Sequence, residues 1–199
     1  MVQLDSLLLA FLIIFFFRFG TQLFLNRLNT SYLRQHGNAV PEVFQDAVDQ
    51  EKLQKISAYT VDSANFGIVS SLAHQSFFLA ILLSGFLPWL VKNIHQWGCG
   101  LILSGLIFFA SLSVLTYLLR IPFSLYGTFV IEDRYGFNTR TFKVWIIDLL
   151  KSLALSALLG GLLLWLFLTL VVHGGNAWWV WAWILLGVFE LPVVQIPPG

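Results

Sequence analysis

The amino-acid sequence predicts an all-α integral membrane protein, a polytopic helical bundle with about five transmembrane helices. Only 11% of the 199 residues are charged and 58% are hydrophobic, whereas soluble domains carry roughly 25% charged residues. The apolar residues also occur in runs of about 20, the length that crosses the hydrocarbon core of a bilayer as a helix. The partner that this composition implies is the lipid bilayer. A net charge of +1 gives no reason to expect nucleic acid.

The first predicted span covers residues 4–25. No basic residue precedes Arg18, so a retained helix is favoured over a cleaved signal peptide. Arg18 itself either extends its side chain towards the nearby polar end of the helix or faces a polar interior. A polar connection follows over residues 26–65, in which Pro41 suggests a turn and Asp49 is a plausible N-cap of a surface helix.

Spans two and three are predicted over residues 66–91 and 98–119, with a short turn over residues 92–97 between them. Pro88 lies near the end of the second span. Cys99 is the only cysteine in the sequence, which excludes an internal disulfide and a cysteine-based metal site.

The most polar stretch between two long apolar runs covers residues 120–151. It holds eight of the 21 Lys, Arg, Asp and Glu residues, which predicts a position at a membrane face rather than within the hydrocarbon. Pro122 is expected to end or kink the helix before it. Gly136 predicts a turn because glycine readily adopts positive φ. Thr139 or Thr141 can cap the helix that follows.

The fourth span is predicted over residues 144–172 and the fifth over residues 178–194. Asp148 and Lys151 stand at positions i and i+3 near the start of the fourth span, where they could form an ion pair on one face. Four tryptophans cluster at the start of the fifth span, as is typical of the interfacial belt of membrane proteins.

Basic residues lie mostly on one side of this predicted topology. The connections after spans one and three, together with the start of span four, carry nine of them, and the alternate sides carry only Lys92. The positive-inside rule therefore predicts an N-terminus outside and a C-terminus in the cytoplasm. The nine residues are Arg27, Arg34, Lys52, Lys55, Arg120, Arg134, Arg140, Lys143 and Lys151.

From the residue pattern alone, no catalytic or metal site can be assembled. None of the four histidines belongs to H-E-x-x-H, the helical pair that binds zinc, and no P-loop, nucleophile elbow or dinucleotide motif is present. His74, the one histidine predicted at membrane depth, is interpreted as a hydrogen-bonding residue between helices. Glu132 and Asp133 are adjacent and make a poor acid–base pair, so we interpret them as loop charges or as partners of Arg134 and Arg140.

Two stretches resemble the type I CAAX prenyl proteases, a family of membrane-embedded zinc metalloendopeptidases. IPFSLYGTFVIEDRYGFNTRTFKVWIIDLLK, residues 121–151, is similar to the family signature L-P-F-x-x-Y-x-x-F-x-I-E-x-x-x-G-F-N-x-x-T, which is followed by an Asp and a Lys in the next helix. The matching residues are Pro122, Phe123, Tyr126, Phe129, Ile131, Glu132, Gly136, Phe137, Asn138, Thr141, Asp148 and Lys151. A second stretch, residues 40–67, resembles the segment between the family's first two membrane helices. It matches at Val40, Pro41, Phe44, Lys55, Tyr59 and Phe66.

The resemblance implies that residues 1–199 are the N-terminal transmembrane domain of such a metallopeptidase, with helices in a ring around a large polar chamber. In the family, H-E-x-x-H and a later glutamate hold zinc in a C-terminal peptidase domain, which we expect to be absent from this chain. The resemblance therefore assigns zinc to the full-length family and no cofactor, metal ligand or catalytic residue to this sequence. The signature residues are expected to have a structural role, packing against the peptidase domain.

By the same resemblance, the partners would be the peptidase domain, in cis or as a separate chain, and a prenylated or membrane-protein peptide as substrate. The chain by itself would not be catalytic. One alternative is a non-enzymatic membrane scaffold or partner-binding protein derived from the family. A transporter or channel is a third hypothesis, motivated by Arg18, His74 and Asp148 at or near membrane depth. It is weakened because these residues are few and Asp148 has Lys151 beside it.

Overall fold

The computed structural model describes residues 6–36 and 49–194, with the backbone alone described for His36 and residues 191–194. Within these ranges the chain is helical and contains no strand, so the predicted all-α class is confirmed. The turn expected at Pro41 lies outside the described residues, as do Val40 and Phe44. The six α-helices are α1 (Ser6–His36), α2 (Gln50–Leu83), α3 (Phe86–Gln96), α4 (Leu101–Tyr126), α5 (Phe142–His173) and α6 (Trp178–Val194).

Two shorter helical segments join these helices. A π-helical segment, Gly127–Glu132, continues α4, and a 3-10 turn, Gly175–Ala177, precedes α6. Four helical stretches are long and apolar enough to cross a membrane: Ser6–Gln35, Gln50–Leu83, Leu101–Glu132 and Phe142–His173. α6 is also strongly apolar but has 17 residues. Most large apolar side chains are exposed on the helices, as expected where the surrounding solvent is lipid.

Helix α2 begins at the predicted N-cap. The Asp49 carboxylate accepts a hydrogen bond from the backbone N–H of Glu51 at 3.0 Å, which satisfies one of the free donors of the first turn. From there the helix runs without interruption out of the polar connection and into the apolar sequence, as far as Leu83. The surface helix and the second apolar segment are therefore one continuous element.

The helix expected over residues 66–91 is divided by a turn at Ser84 and Gly85, where Gly85 has a φ of +79°. The physical reason is Pro88, which has no N–H to donate to the carbonyl of Ser84. With the break in place, Pro88 is the third residue of α3 and lies in the first helical turn, where no donor is required.

The turn predicted over residues 92–97 is wrong in its position, because α3 stays helical as far as Gln96. The chain turns one residue later. Trp97 donates its backbone N–H to the carbonyl of Ile94 and Gly98 donates to that of His95, with Gly98 at a φ of +65°. This turn leads into α4.

Pro122 does not end a helix. It lies inside α4, which continues to Tyr126 and then widens into the π-helical segment. A proline inside a helix removes one backbone hydrogen bond, here to the carbonyl of Leu118, but the remaining bonds and the packing of neighbouring residues hold the helix together. Of the two expected outcomes, the helix end is therefore wrong. The segment around Pro122 packs against α2, with the rings of Phe66 and Phe123 6.1 Å apart.

The chain forms two compact units, residues 1–87 with 116–140 and residues 88–115 with 141–199. In the first unit, α1 packs against α2, and α2 packs against the π-helical segment. In the second unit, α5 packs against α6, and Gly105 of α4 lies so close to Leu168 of α5 that a β-carbon at Gly105 would come within 2.8 Å of it. Small residues at such crossings allow membrane helices to approach closely.

Candidate functional site

The signature segment closes its helix with a complete C-terminal cap. Gly136 has a φ of +66° and donates its N–H to the carbonyl of Asp133 at 2.9 Å, and Phe137 donates to the carbonyl of Glu132 at 2.8 Å. These two bonds around a left-handed glycine form a Schellman motif, which satisfies carbonyls that the helix leaves free. Asn138 donates a further bond to the same Glu132 carbonyl at 3.2 Å.

The polar signature residues after the cap start the next helix. Asn138 accepts a hydrogen bond from the backbone N–H of Arg140 on its side-chain oxygen at 2.8 Å, which fixes the intervening turn. The Thr141 hydroxyl accepts from the N–H of Val144 at 3.4 Å and is the N-cap of α5. Of the two predicted caps, Thr141 is therefore the one in use.

One face of α2 packs along this segment, and we call the contact region the Asp62 cluster. On α2 the face is formed by Lys55, Tyr59, Asp62 and Phe66, whose spacing of four, three and four places them on a single stripe. The residues that they meet are Phe123, Tyr126, Arg134, Tyr135 and Phe137.

Asp62 provides the polar centre of the cluster. Its Oδ2 accepts a hydrogen bond from the Tyr135 hydroxyl at 2.7 Å and one from Nη1 of Arg134 at 3.1 Å. The second contact is the ion pair found in the described part of the chain. The Tyr135 side chain is partly buried, whereas that of Arg134 is 58% exposed, so the tyrosine bond lies in the drier environment.

Aromatic rings surround this centre on the side of the turn. The Tyr59 ring contacts Tyr135 and Phe137 edge-on, with centroids 5.7 and 4.9 Å apart. The ammonium group of Lys55 lies 5.5 Å from the centre of the Phe137 ring, within reach of a cation–π interaction. Edge-to-face pairs at these distances are favourable because the positive edge of one ring meets the negative face of the other.

Further along α2, the contact becomes apolar. The Phe66 ring lies 4.9 Å from that of Tyr126 and 6.1 Å from that of Phe123. His74 packs on Phe123 with ring centres 5.1 Å apart. Among the described residues, the expected hydrogen bond from His74 to another helix is not found. Its Nδ1 instead lies 2.6 Å from the Ser70 carbonyl of its own helix.

The environment of Tyr135 raises the pKa of its hydroxyl above the usual value of 10.0. The hydrogen bond to Asp62 is the largest cause, because it stabilises the neutral phenol as a donor. Burial and the negative charge of Asp62 act in the same direction, and the nearby Arg134 acts against them.

The structure brings together some of the predicted signature residues and not others. Phe123, Tyr126 and Phe137 contact α2, whereas the contributions of Glu132, Gly136, Asn138 and Thr141 described above are to backbone hydrogen bonds. Pro122 is exposed in α4, and Ile131 is buried. Asp148 and Lys151 are exposed on α5, and they are not within ion-pair distance of one another in the described residues. The proposed pairing of Glu132 and Asp133 with arginines is replaced by the pair of Arg134 with Asp62.

Sequence reasoning missed Asp62 and Tyr135, which carry the cluster. A signal was present, because Asp62 falls on the same helical stripe as Tyr59 and Phe66, two residues already matched to the family. A carboxylate on an otherwise aromatic stripe requires a partner when it is packed against another segment. The partners of Asp62 are Arg134 and Tyr135, which lie 72 and 73 positions later in the sequence, and helical spacing could not identify them.

These features define an α-helical, multi-pass membrane protein in which the turn of the signature segment is part of a contact with helix α2. Comparison with known proteins identifies the family. Residues 29–199 match the family described as "CAAX prenyl protease N-terminal, five membrane helices". The chain belongs to this family, and the resemblance found in the sequence is confirmed.

Individual relatives agree. The chain is 31% identical over 195 residues to "Probable CAAX prenyl protease 1" of Schizosaccharomyces pombe, covering 92% of this chain and 41% of the relative. It is 32% identical over 166 residues to "CAAX prenyl protease 1 homolog" of Arabidopsis thaliana, covering 80% and 39%. The crystal structure of S. mikatae Ste24p superposes with a TM-score of 0.79 at 26% identity, covering 92% of this chain and 43% of that one. The chain thus spans about two fifths of the length of these relatives.

Proposed function

We propose that this chain is the membrane part of a membrane-embedded zinc metalloendopeptidase resembling CAAX prenyl protease. In this proposal its helices form walls of the chamber, its signature segment docks a peptidase domain, and it does not cleave peptides by itself. The observation that carries the proposal is the Asp62 cluster. It uses the signature residues for capping and packing, and none of its groups is arranged as a nucleophile, a metal ligand set or an acid–base pair.

Zinc does not fit the residues described here. Within residues 6–36 and 49–194, no three His, Cys, Asp or Glu side chains come together in a way that could hold a metal ion. Zinc in proteins requires three or four such ligands at about 2.0–2.3 Å. We therefore assign the metal chemistry of the family to a peptidase domain and none of its steps to this chain.

A docking role for the signature segment is supported by the side chains that it leaves uncovered. Tyr126 is 46% exposed, Val130 37% and Phe137 40%, although each belongs to a segment held firmly against α2. A rigid segment with exposed aromatic and branched side chains is suited to bury them against another protein surface. The proposed partner is the peptidase domain, in cis or as a separate chain, and the proposed substrate is a prenylated or membrane-protein peptide.

The proposal includes an orientation, with the N-terminus outside and the C-terminus in the cytoplasm. It is supported by the nine basic residues on one side of the predicted topology against Lys92 on the other. In this orientation the turn of the Asp62 cluster lies on the cytoplasmic side.

The proposal can be tested with the full chain purified in detergent. We expect no stoichiometric zinc by elemental mass spectrometry and no cleavage of a farnesylated CAAX peptide by the chain alone.

Co-expressed with the peptidase domain of the fission-yeast relative, the chain should co-purify with it. Tyr126→Ala with Phe137→Ala should weaken that association at least tenfold, whereas the exposed Phe24→Ala on α1 should leave it unchanged. Stoichiometric zinc in a washed sample of the chain alone would overturn the proposal.

The alternative is a membrane scaffold of the family that binds a different partner and supports no proteolysis. It is motivated by the sequence itself, which contains no H-E-x-x-H. The same co-expression separates the two proposals. Failure to associate with a peptidase domain, combined with recovery of another protein from native membranes at fixed stoichiometry, would favour the scaffold.

A further inference from the structure

A groove between α1 and α2 is lined by polar and basic residues that the proposed function does not use. It has a volume of about 460 Å³, within the range of roughly 300–1,000 Å³ typical of small-molecule sites. Its walls are held together by a hydrogen bond from the Asn26 side chain to the carbonyl of Ala64 at 3.4 Å. Thr30, which is buried, also lines it and donates to the Asn26 side chain at 3.5 Å.

The charges of this groove are of one sign. Arg27 and Arg34 line it, with Ser31 and Asn65 as further hydrogen-bonding groups, and no carboxylate is among the described residues that line it. In the described part of the chain, neither arginine makes an ion pair. Seven residues separate them, which is about two helical turns or roughly 10 Å along the axis, so both lie on the same face. Two guanidinium groups with no ion-pair partner among the described residues, together with hydroxyl and amide donors, form a site for an oxyanion such as a phosphate ester.

The lining of the groove changes from apolar to basic along α1. Leu23 and Ile68 form its apolar part, and the arginines follow towards the C-terminal end of the helix. A lipid has the same gradient, with acyl chains next to a charged headgroup. A neighbouring groove that shares Arg34 is lined instead by Asp62 and Tyr135, so its carboxylate disfavours an anion.

We propose that the groove between α1 and α2 binds the phosphate headgroup of an anionic phospholipid, held by Arg27 and Arg34, with its acyl chains along Leu23 and Ile68. The proposal rests in one respect on the proposed orientation, which places these arginines at the cytoplasmic leaflet, where anionic lipids are concentrated. Lipid binding in detergent does not depend on the orientation of the chain in a membrane. The lipid-binding proposal and the proposed orientation can therefore fail separately.

Native mass spectrometry of the purified full chain in a mild detergent provides the test, with phosphatidylserine, phosphatidylcholine and inorganic phosphate as probes. We expect one phosphatidylserine to bind more tightly than phosphatidylcholine, and inorganic phosphate at equal concentration not to displace it. Arg27→Gln with Arg34→Gln should weaken phosphatidylserine binding by about thirtyfold, or roughly fivefold for each arginine. Displacement by equal inorganic phosphate, or equal affinity for the two lipids, would overturn the proposal.

Two further variants control for net charge and folding. Lys52→Gln with Lys143→Gln removes the same two charges from exposed positions outside the groove, and phosphatidylserine affinity should stay within about twofold of wild type. Ser31→Trp keeps both arginines and fills the groove from an exposed position, so it should weaken binding even if the arginine pair proves necessary for folding. Unchanged affinity in Ser31→Trp, or equal losses in the two charge pairs, would contradict the proposal.

Discussion

At the level of single residues, Asp62 receives two hydrogen bonds on one oxygen atom, and they differ in strength. The contact with Arg134 joins side chains that are 58% and 36% exposed, and such surface ion pairs contribute about 0–1 kcal/mol. The Tyr135 hydroxyl donates to the same carboxylate from a partly buried position, and hydrogen bonds to charged groups contribute about 1.5–3 kcal/mol. We infer that the tyrosine, and not the arginine, holds the turn against α2.

A double-mutant cycle tests this ranking. The coupling energy between Asp62→Asn and Tyr135→Phe should be about 1–2 kcal/mol, and that between Asp62→Asn and Arg134→Gln below about 0.5 kcal/mol. Unfolding of the detergent-solubilised chain, followed by circular dichroism, measures both. Asp133→Asn is the matched control, since it removes an exposed carboxylate from the same turn and should have little effect. A larger coupling for Arg134 would reverse the ranking.

The raised pKa of Tyr135 predicts a dependence on alkaline pH. Because the folded-state pKa lies above the unfolded value of 10.0, the stabilisation from this group is fully present below about pH 10. It is lost as the pH rises through the higher folded pKa. The stability difference between wild type and Tyr135→Phe should therefore be constant from about pH 7 to 9 and shrink as the pH rises above about 10. In an Asp62→Ala background, where both the hydrogen-bond acceptor and the negative charge are removed, the alkaline decrease should disappear; its persistence there would contradict this assignment.

At the level of elements, several residues of the signature segment form the caps of helix ends. Gly136 supplies the left-handed residue of the Schellman cap, and Thr141 supplies the N-cap of α5 five residues later. The π-helical segment between α4 and this cap lies in contact with α2. A short, doubly capped turn has few alternative conformations, so it can present the side chains of the Asp62 cluster at fixed positions.

Two glycine-to-alanine substitutions should have opposite effects on the stability of the fold. Gly136→Ala places a β-carbon on a residue with φ at +66° and should destabilise the fold by about 1 kcal/mol. Gly160→Ala, inside α5 with open space around the new atom, should stabilise it by about 0.5–1 kcal/mol. Thermal melting in the same detergent measures both. Equal effects of the two substitutions would show that the cap does not matter.

At the level of the whole molecule, exposed apolar surface dominates. Side chains such as Leu7, Phe17 and Leu158 are 79%, 76% and 68% exposed. Apolar exposure over several helices is unfavourable in water but favourable in contact with lipid chains. Packing between the helices therefore relies on specific contacts, such as the close approach of Gly105 in α4 to Leu168 in α5. We expect the basic residues to determine which side of the membrane each turn occupies.

Cys99, the single cysteine, is a natural probe of that topology. It lies in the turn before α4, which the proposed orientation places outside. In sealed vesicles with the cytoplasmic face outwards, a membrane-impermeant maleimide should label Cys99 only after detergent is added. Thr139→Cys in a Cys99→Ala background should be labelled at once, since Thr139 is exposed in the turn proposed to be cytoplasmic. The reverse pattern would invert the topology while leaving the family assignment intact.

The sequence by itself determined the class, the family and the helix caps of this protein. Low charge and long apolar runs predict membrane helices because a bilayer imposes that composition. Asp49 was identifiable as a cap, Gly136 as a turn residue and Thr141 as one of two candidate caps, because each depends on local backbone interactions. Composition and local chemistry are readable from the order of residues alone.

Only the tertiary structure decided how the signature is used. Helix α4 continues through Pro122, and Asp62 is joined to Tyr135 across 73 positions in the chain. Each outcome depends on which helix faces which, and that depends on the packing of many side chains at once. Local propensity predicts a break at a proline, but a helix packed along α2 can lose one hydrogen bond and remain helical.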